Sequence, residues 1–280
     1  MSAPARRLPP EDEPPLPAPR ATVTARRLAD GEAVASLENL AEEVPVALVY
    51  NGISHAVMLA TPADLTDFAL GFSLSEGILA SPGELYDCEA VAVEGGIEVR
   101  LEIASARLAA LKERRRSLAG RTGCGLCGVE SLGLAVRSPA PVAPRAPLAA
   151  AAIHRALAGL LPHQPLFAAT GAAHAAAWAN DAGTLLTVRE DVGRHNALDK
   201  LIGALAREGF DPAAGFLAVT SRASYEMVQK AASAGIGLLA AISAPTAFAV
   251  RLAEEAGLTL VGMARSSRLT AYSHPDRLIP

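Results

Sequence analysis

Cysteine is scarce in this chain: Cys88, Cys124 and Cys127 are the only three in 280 residues. So low and odd a count argues against a disulfide scaffold. It leaves a metal site, a redox pair or a nucleophile as uses for the Cys124/Cys127 pair. Basic charge is not in excess, the formal net charge being −4, so the cationic surface of a nucleic-acid-binding domain is not expected. No apolar run reaches the roughly 18 residues that a membrane-spanning helix needs. Arg6 and Arg7 form a twin-arginine pair, but Leu8-Pro-Pro-Glu-Asp-Glu13 follows where an apolar stretch would be required, so an export signal is not expected. These absences lead to the expectation of a cytoplasmic protein. No internal repeat of 20–50 residues is present either. What the chain does have is apolar material, 51% of its residues, enough to build one large core or two ordinary ones.

The Pro-rich residues 1–20 read as a disordered tail. Residues 21–137 then read as an α+β domain. Val44–Tyr50 and His55–Ala60 flank Asn51-Gly52, the signal of a tight hairpin. Thr61-Pro-Ala-Asp64 opens a helical stretch whose apolar positions Leu65, Phe68, Ala69 and Phe72 recur at helical spacing. A second hairpin is predicted from Ala90–Val93 and Ile97–Ile103 around Gly95-Gly96, followed by a helix over 104–118. Antiparallel pairing is expected throughout this half. Residues 120–128, with four glycines in nine residues, read as a loop. A Pro/Ala-rich linker follows at 138–148. From 149 to 280 the pattern alternates. Strands are predicted at Phe167–Thr170, Leu185–Val188, Phe216–Thr220, Leu238–Ile242 and Leu258–Gly262, with helices at Ala197–Ala206, Tyr225–Ala234 and Pro245–Ala256. That alternation predicts an α/β domain with an at least partly parallel sheet.

Ligands of such sheets bind beyond the C-terminal strand ends. The residues that follow the predicted strands there are polar or cationic: Arg194 and His195, Ser221 and Arg222, Ser243, then Arg265, Ser266, Ser267 and Arg268. Helix starts follow three of these strands, and free N–H groups at helix starts bind anions; Arg265 and Arg268 could clamp a phosphate. The plainer reading is that loops are polar in any protein, and that His195 caps the helix beginning near Asn196. Cys124-Gly-Leu-Cys127 leaves three uses open. A structural zinc site needs two further ligands, and no second close pair exists among Cys88 and the six histidines. A thioredoxin-like pair should open a helix, which the flanking glycines oppose. A nucleophile needs cationic neighbours that favour the thiolate, and Lys112, Arg114, Arg115, Arg116 and Arg121 precede it. His174 invites a zinc-deaminase reading, but the catalytic glutamate expected two residues on is Ala176. His174 therefore reads as a hydrogen-bonded structural or site-lining histidine.

Taken together, these segments resemble the formate dehydrogenase accessory sulfurtransferase family, FdhD. The matching residues are Thr61-Pro-Ala-Asp64 with Asp67-Phe-Ala-Leu-Gly-Phe72, Gly123-Cys-Gly-Leu-Cys-Gly128 and Thr170-Gly171 with His174. They continue with Arg189-Glu-Asp-Val-Gly-Arg-His-Asn-Ala-Leu-Asp-Lys200, Thr220-Ser-Arg222, and Leu258–Gly262 with Arg265 and Arg268. The likeness spans about 40–275, and the twelve-residue Arg189–Lys200 segment is its most specific part. The resemblance implies a sulfur carrier that receives persulfide sulfur from a cysteine desulfurase on Cys124, assisted by Cys127. It implies transfer to the molybdenum cofactor carrying two molybdopterin guanine dinucleotides, on behalf of formate dehydrogenase. It further implies a C-terminal three-layer domain of cytidine-deaminase type without zinc chemistry, a smaller N-terminal α+β domain, and a homodimer. The family's cofactor segment falls on Met263, Ala264, Arg265, Ser266, Ser267 and Arg268. No metal ion of its own is expected. Two other readings are a chaperone that only binds the cofactor, and a structural zinc or redox protein built on the cysteine pair.

Overall fold

The structure is a computed structural model that describes residues 14–29, 31–118, 139–265 and 268–280. Cys124, Cys127, Ser266 and Ser267 lie outside the described residues. The described chain is mixed α/β, with four sheets and seven α-helices.

Strands β1 (Arg20–Ala29) and β2 (Glu32–Ala41) pair antiparallel as a two-stranded ribbon. Arg20, assigned above to the tail, opens this ribbon, and Pro19 accepts a hydrogen bond from Glu42 N–H at 2.9 Å. β3 (Val44–Tyr50) and β4 (Ile53–Ala60) form the hairpin around Asn51-Gly52. Both turn residues have positive φ, 45° and 79°, as a two-residue turn matched to strand twist requires. β5 (Leu85–Val93) and β6 (Gly96–Ile103) form the second hairpin. The sheet order is β4-β3-β6-β5, and β3 pairs with β6 in parallel. That corrects the expectation of antiparallel pairing throughout. Helix α1 (Leu65–Ser75) lies in the crossover between the hairpins, and a crossover is what a parallel neighbour needs. Phe68, Leu70, Leu48, Val99 and Leu101 are buried in one core there, onto which α2 (Ser105–Leu118) adds Leu108 and Leu111.

The larger sheet has the order β13-β12-β11-β10-β8-β9. Its strands are β8 (His174–Asn180), β9 (Leu185–Asp191), β10 (Gly215–Val219), β11 (Leu238–Ala241), β12 (Thr259–Arg265) and β13 (Arg268–Ala271). β10, β11 and β12 are parallel, β8 runs against β10, and β9 runs against β8. β9 to β12 therefore all end at one edge. Every residue of β10 and β11 is buried, as in strands covered on both faces. Helices α5 (Arg194–Glu208), α6 (Tyr225–Ser233) and α7 (Ala247–Ala256) pack on one face. Helix α3 (Ala150–Ala158) packs on the other through Ala152, Ile153 and Ala156. The short β7 (Leu148–Ala149) and β14 (Leu278–Ile279) pair in parallel.

Three sequence expectations fail locally. Phe167–Thr170, expected as a strand, is the end of helix α4 (Pro165–Thr170). Pro165 stands in its first turn, and the Glu190 carboxylate accepts from Leu166 N–H at 2.8 Å and Phe167 N–H at 2.9 Å, a cap supplied from a distant strand. β12, expected to end at Gly262, continues to Arg265 across a bulge and turns back as β13. Met263 takes the bulge's left-handed conformation, φ 52°. β8, which the Ala-rich sequence did not announce, fills the sheet between β9 and β10.

The two halves meet where α1 crosses α5. A Cβ on Gly71 would stand 1.8 Å from the Asp199 carbonyl oxygen, and one on Gly203 1.9 Å from that of Asp67. Both glycines are what lets the two backbones approach so closely. Around this crossing Lys230 pairs with Asp199 at 2.9 Å and Glu76 at 3.2 Å, and Arg189 and Arg207 hold Asp67 at 2.9 and 2.7 Å.

Candidate functional site

The edge where β9 to β12 end also receives the starts of α5, α6 and α7 and the first residue of β8. Strand ends and helix starts thus coincide, the arrangement that suits an anionic ligand. A pocket of about 520 Å³ opens there, lined among others by Gln164, Phe167, His174, Val192, Thr220 and Ile242. A second pocket, about 240 Å³, is lined by His154, Leu157, Ala158, Ala264, Arg265 and the same Ile242. The shared isoleucine makes the two pockets neighbours.

His174 opens β8 opposite Asp191. Burial, then the nearby Arg194 and His195, hold its imidazole pKa below the usual range. At neutral pH it is therefore a neutral donor–acceptor on the pocket wall. Thr220 fixes its position on β8: its Oγ1 accepts from Ala175 N–H at 2.9 Å, and its own N–H donates to Ala175 O at 3.1 Å.

Arg194 stands first in α5, two residues beyond Val192. Its Nε–H is buried and has no hydrogen-bond partner among the described residues. A buried donor left unpaired costs about 1–3 kcal/mol, so this position asks for an acceptor. His195 does not cap the helix. Instead it lies within the first turn, Gly193 being the N-cap residue. Its Nε2 lies 2.7 Å from Glu226 Oε2 and 3.4 Å from Ser224 Oγ, and this bond lowers the Glu226 pKa. Ser221 is buried and its hydroxyl donates to the Arg222 carbonyl at 3.0 Å. Arg222 is exposed and makes no ion pair with a described residue.

On the β12–β13 hairpin, Met263 N–H donates to Ser243 O at 3.1 Å, tying the bulge to the loop after β11. Gly262 is needed just before it, since a Cβ there would meet Pro245 Cδ at 2.8 Å. Ala264 is buried against α3, and Arg265 Nε–H donates to Ile242 O at 3.2 Å. Arg265 and Arg268 face each other directly across the hairpin. Like charges in that relation repel, and an anion between them would relieve it.

The structure thus brings Arg194, His195, Ser221, Arg222, Met263, Ala264, Arg265 and Arg268 to one edge of the sheet. Among these residues, Ala264 and Arg265 line the smaller of the two pockets described above. The larger pocket is built by residues that sequence reasoning did not select, Gln164, Phe167 and Ile242, together with His174, named above only as site-lining. His154 also went unselected, because it sits in an alanine-rich stretch with no turn or charge pattern around it. Thr220 stood at the end of a predicted strand, and that position was its available signal. Among the described residues no helix is long and apolar enough to cross a membrane.

Strand ends, helix starts, arginines without ion pairs and two neighbouring pockets at one sheet edge mark a mixed α/β protein with a candidate ligand site, and comparison with known proteins makes the class specific. The FdhD/NarQ family model matches residues 41–279, and the chain belongs to that family. It is 59% identical over 262 residues to the sulfur carrier protein FdhD of Cupriavidus necator, covering 94% of this chain and 91% of that protein. It is 56% identical over 241 residues to the protein of the same name from Bordetella petrii, covering 86% and 87% of the two chains. Among solved structures it resembles a protein from Desulfotalea psychrophila described as a formate dehydrogenase accessory protein. The TM-score is 0.72 at 24% identity, covering 95% of this chain and all of the other, a likeness of fold.

Proposed function

We propose that this chain is a sulfur carrier that serves the maturation of formate dehydrogenase. A cysteine desulfurase supplies the sulfur. The Cys124 thiolate attacks the outer sulfur of the donor's persulfide, a new S–S bond forms on Cys124, and the donor's own S–S bond breaks to release its cysteine as a thiolate. Cys127 assists. The sulfur then passes to the molybdenum cofactor with two molybdopterin guanine dinucleotides, bound as cargo at the C-terminal edge of the larger sheet. The carrier works in the cytoplasm as a homodimer.

The observation that carries the cofactor half of this reading is Arg194: a buried guanidinium N–H with no partner among the described residues, beside the pocket and at a helix start. Phosphates are the acceptors that such a group suits. Arg265 and Arg268 add two facing charges where an anion would lie. The sulfur half rests on the relatives' name, sulfur carrier protein, and on the glycine-flanked Cys124/Cys127 pair behind a basic segment. A cytidine-deaminase-like C-terminal half fits the layering of helices on both faces of the sheet. Ala176, buried within β8, offers no acid–base group where a deaminase needs glutamate.

The test is replacement in the cell. A strain carrying only Cys124→Ser should accumulate the folded protein but lose formate dehydrogenase activity. Full activity in that strain would refute the sulfur-carrier role.

A further inference from the structure

Val192, a wall of the larger pocket, belongs to a segment that the distant N-terminal half holds in place. The Asp191 carboxylate, fully buried, accepts four hydrogen bonds. Oδ1 takes Gly193 N–H at 2.7 Å and Asn196 Nδ2–H at 3.0 Å; Oδ2 takes Thr61 N–H at 3.0 Å and lies 2.7 Å from Lys200 Nζ. That fills the capacity of a carboxylate. Lys200, also fully buried, donates further to Thr61 O at 3.0 Å and Glu190 O at 3.4 Å. The Thr61 hydroxyl accepts the remaining bond, from Val192 N–H at 3.2 Å. Asn196 reaches across as well, its Nδ2–H donating to Leu59 O at 2.8 Å. One residue between β4 and α1 therefore contributes its N–H, its carbonyl and its hydroxyl to the Asp191–Lys200 stretch, 130 to 139 positions away in sequence.

A purely structural pair would need none of this detail at Val192. The hydroxyl bond lands on the backbone of the pocket wall itself, one residue before the N-cap of the helix that presents Arg194. We propose that Thr61 is a positioning residue for the cofactor pocket. Acting through Val192 and Asp191, it fixes the 192–194 segment, so that binding at the sheet edge depends on the N-terminal half that leads into the cysteine pair. This inference rests on the cofactor reading above.

The experiment compares Thr61→Val, Thr61→Ser and Asn196→Ala with the unaltered full-length chain. Valine keeps the shape of threonine but cannot accept the Val192 N–H; serine can. Asn196→Ala cuts the tie to Leu59 together with one bond to Asp191 Oδ1, and serves if Thr61→Val does not fold. Amide hydrogen exchange is read at Val192 and Gly193, and affinity for guanosine diphosphate is read by calorimetry. With one neutral hydrogen bond lost, exchange at these amides should rise, and nucleotide affinity fall, by about two- to tenfold in Thr61→Val. Thr61→Ser should restore both, and persulfide loading of Cys124 should not change. Unchanged exchange in the folded variants overturns the proposal, as does unchanged affinity despite faster exchange, or a serine variant as weak as the valine one. If the unaltered chain itself binds no guanosine diphosphate, the cofactor reading falls, while the exchange measurement still decides whether Thr61 fixes the segment.

Discussion

Two charged regions of this molecule are built on opposite rules. At the seam where α1 meets α5 and α6, charges are matched and most are buried, with Arg207 staying exposed: Lys230 with Asp199 and Glu76, Lys200 with Asp191, and Asp67 between Arg189 and Arg207. At the C-terminal edge of the larger sheet, Arg194, Arg222, Arg265 and Arg268 make no ion pair with a described residue, and the Arg194 Nε–H is buried without a partner. Matched charges at a seam fix one arrangement of two halves. Unmatched cations at an edge lower the cost of desolvating an anion brought to them. The first region should therefore govern stability and the second affinity, and variants should separate along that line.

The largest effect is expected at the seam. Lys230 is nearly buried, which works against its charge, but Asp199 and Glu76 outweigh that and hold its pKa above the usual lysine value. Lys230→Met leaves Asp199 buried without its cation, a loss of about 3–5 kcal/mol. Chemical denaturation should record it, while the folded fraction still binds guanosine diphosphate. A loss under about 1 kcal/mol, the range of an exposed pair, would erase the contrast between the two regions.

At the edge the expectation reverses. On the proposed reading Arg268→Ala should remove one charge-assisted phosphate contact, about 1.5–3 kcal/mol, or roughly ten- to hundredfold in affinity for a guanine nucleotide. The denaturation midpoint should hardly move. Unchanged affinity at low salt, where such contacts are least screened, would remove the hairpin from the site.

A smaller effect sharpens the boundary between the regions at His195 and Glu226, a half-exposed pair. The hydrogen bond from His195 holds the Glu226 pKa below its ordinary value of 4.5. A depressed carboxylate pKa stabilises the fold above the ordinary value, and that contribution is lost as pH falls through the depressed one. Glu226→Gln should therefore lower stability at neutral pH, by less than about 1 kcal/mol for so exposed a pair. Below the depressed value the variant and the unaltered chain should converge. A difference that persists in acid would mean that packing, not charge, holds the pair.

How far the sequence revealed these regions follows from what each is made of. Local signals were legible: Asn51-Gly52 marked a hairpin, and the alternation after residue 180 marked strands whose C-terminal ends carry Arg194, Ser221 and Arg265. Features that depend on distant partners were not. Pro165–Thr170 is a helix whose start Glu190 caps from β9; Pro165 at its first position was the one local signal for it. His174–Asn180 is rich in alanine, a good helix former, yet small residues suit a strand packed on both faces. Burial in the middle of the sheet overrides the propensity. The continuation of β12 depends on Met263 adopting positive φ, which is uncommon for methionine and has no sequence signature. The pairing at the seam was the least legible part: Thr61, Asp191 and Lys200 fall within the segments that carry the family likeness, but nothing in the sequence shows that they meet.

The central claim concerns a thiolate, and mass spectrometry of Cys124 and Cys127 tests it most directly. The full-length chain is incubated with a cysteine desulfurase and cysteine, trapped by alkylation and digested. The account predicts an added sulfur on Cys124, released by reductant and absent when cysteine is withheld. A Cys124 recovered only as the free thiol under conditions where the desulfurase turns over, or purified protein holding about one zinc per chain that is lost on replacing Cys124 and Cys127, would contradict it.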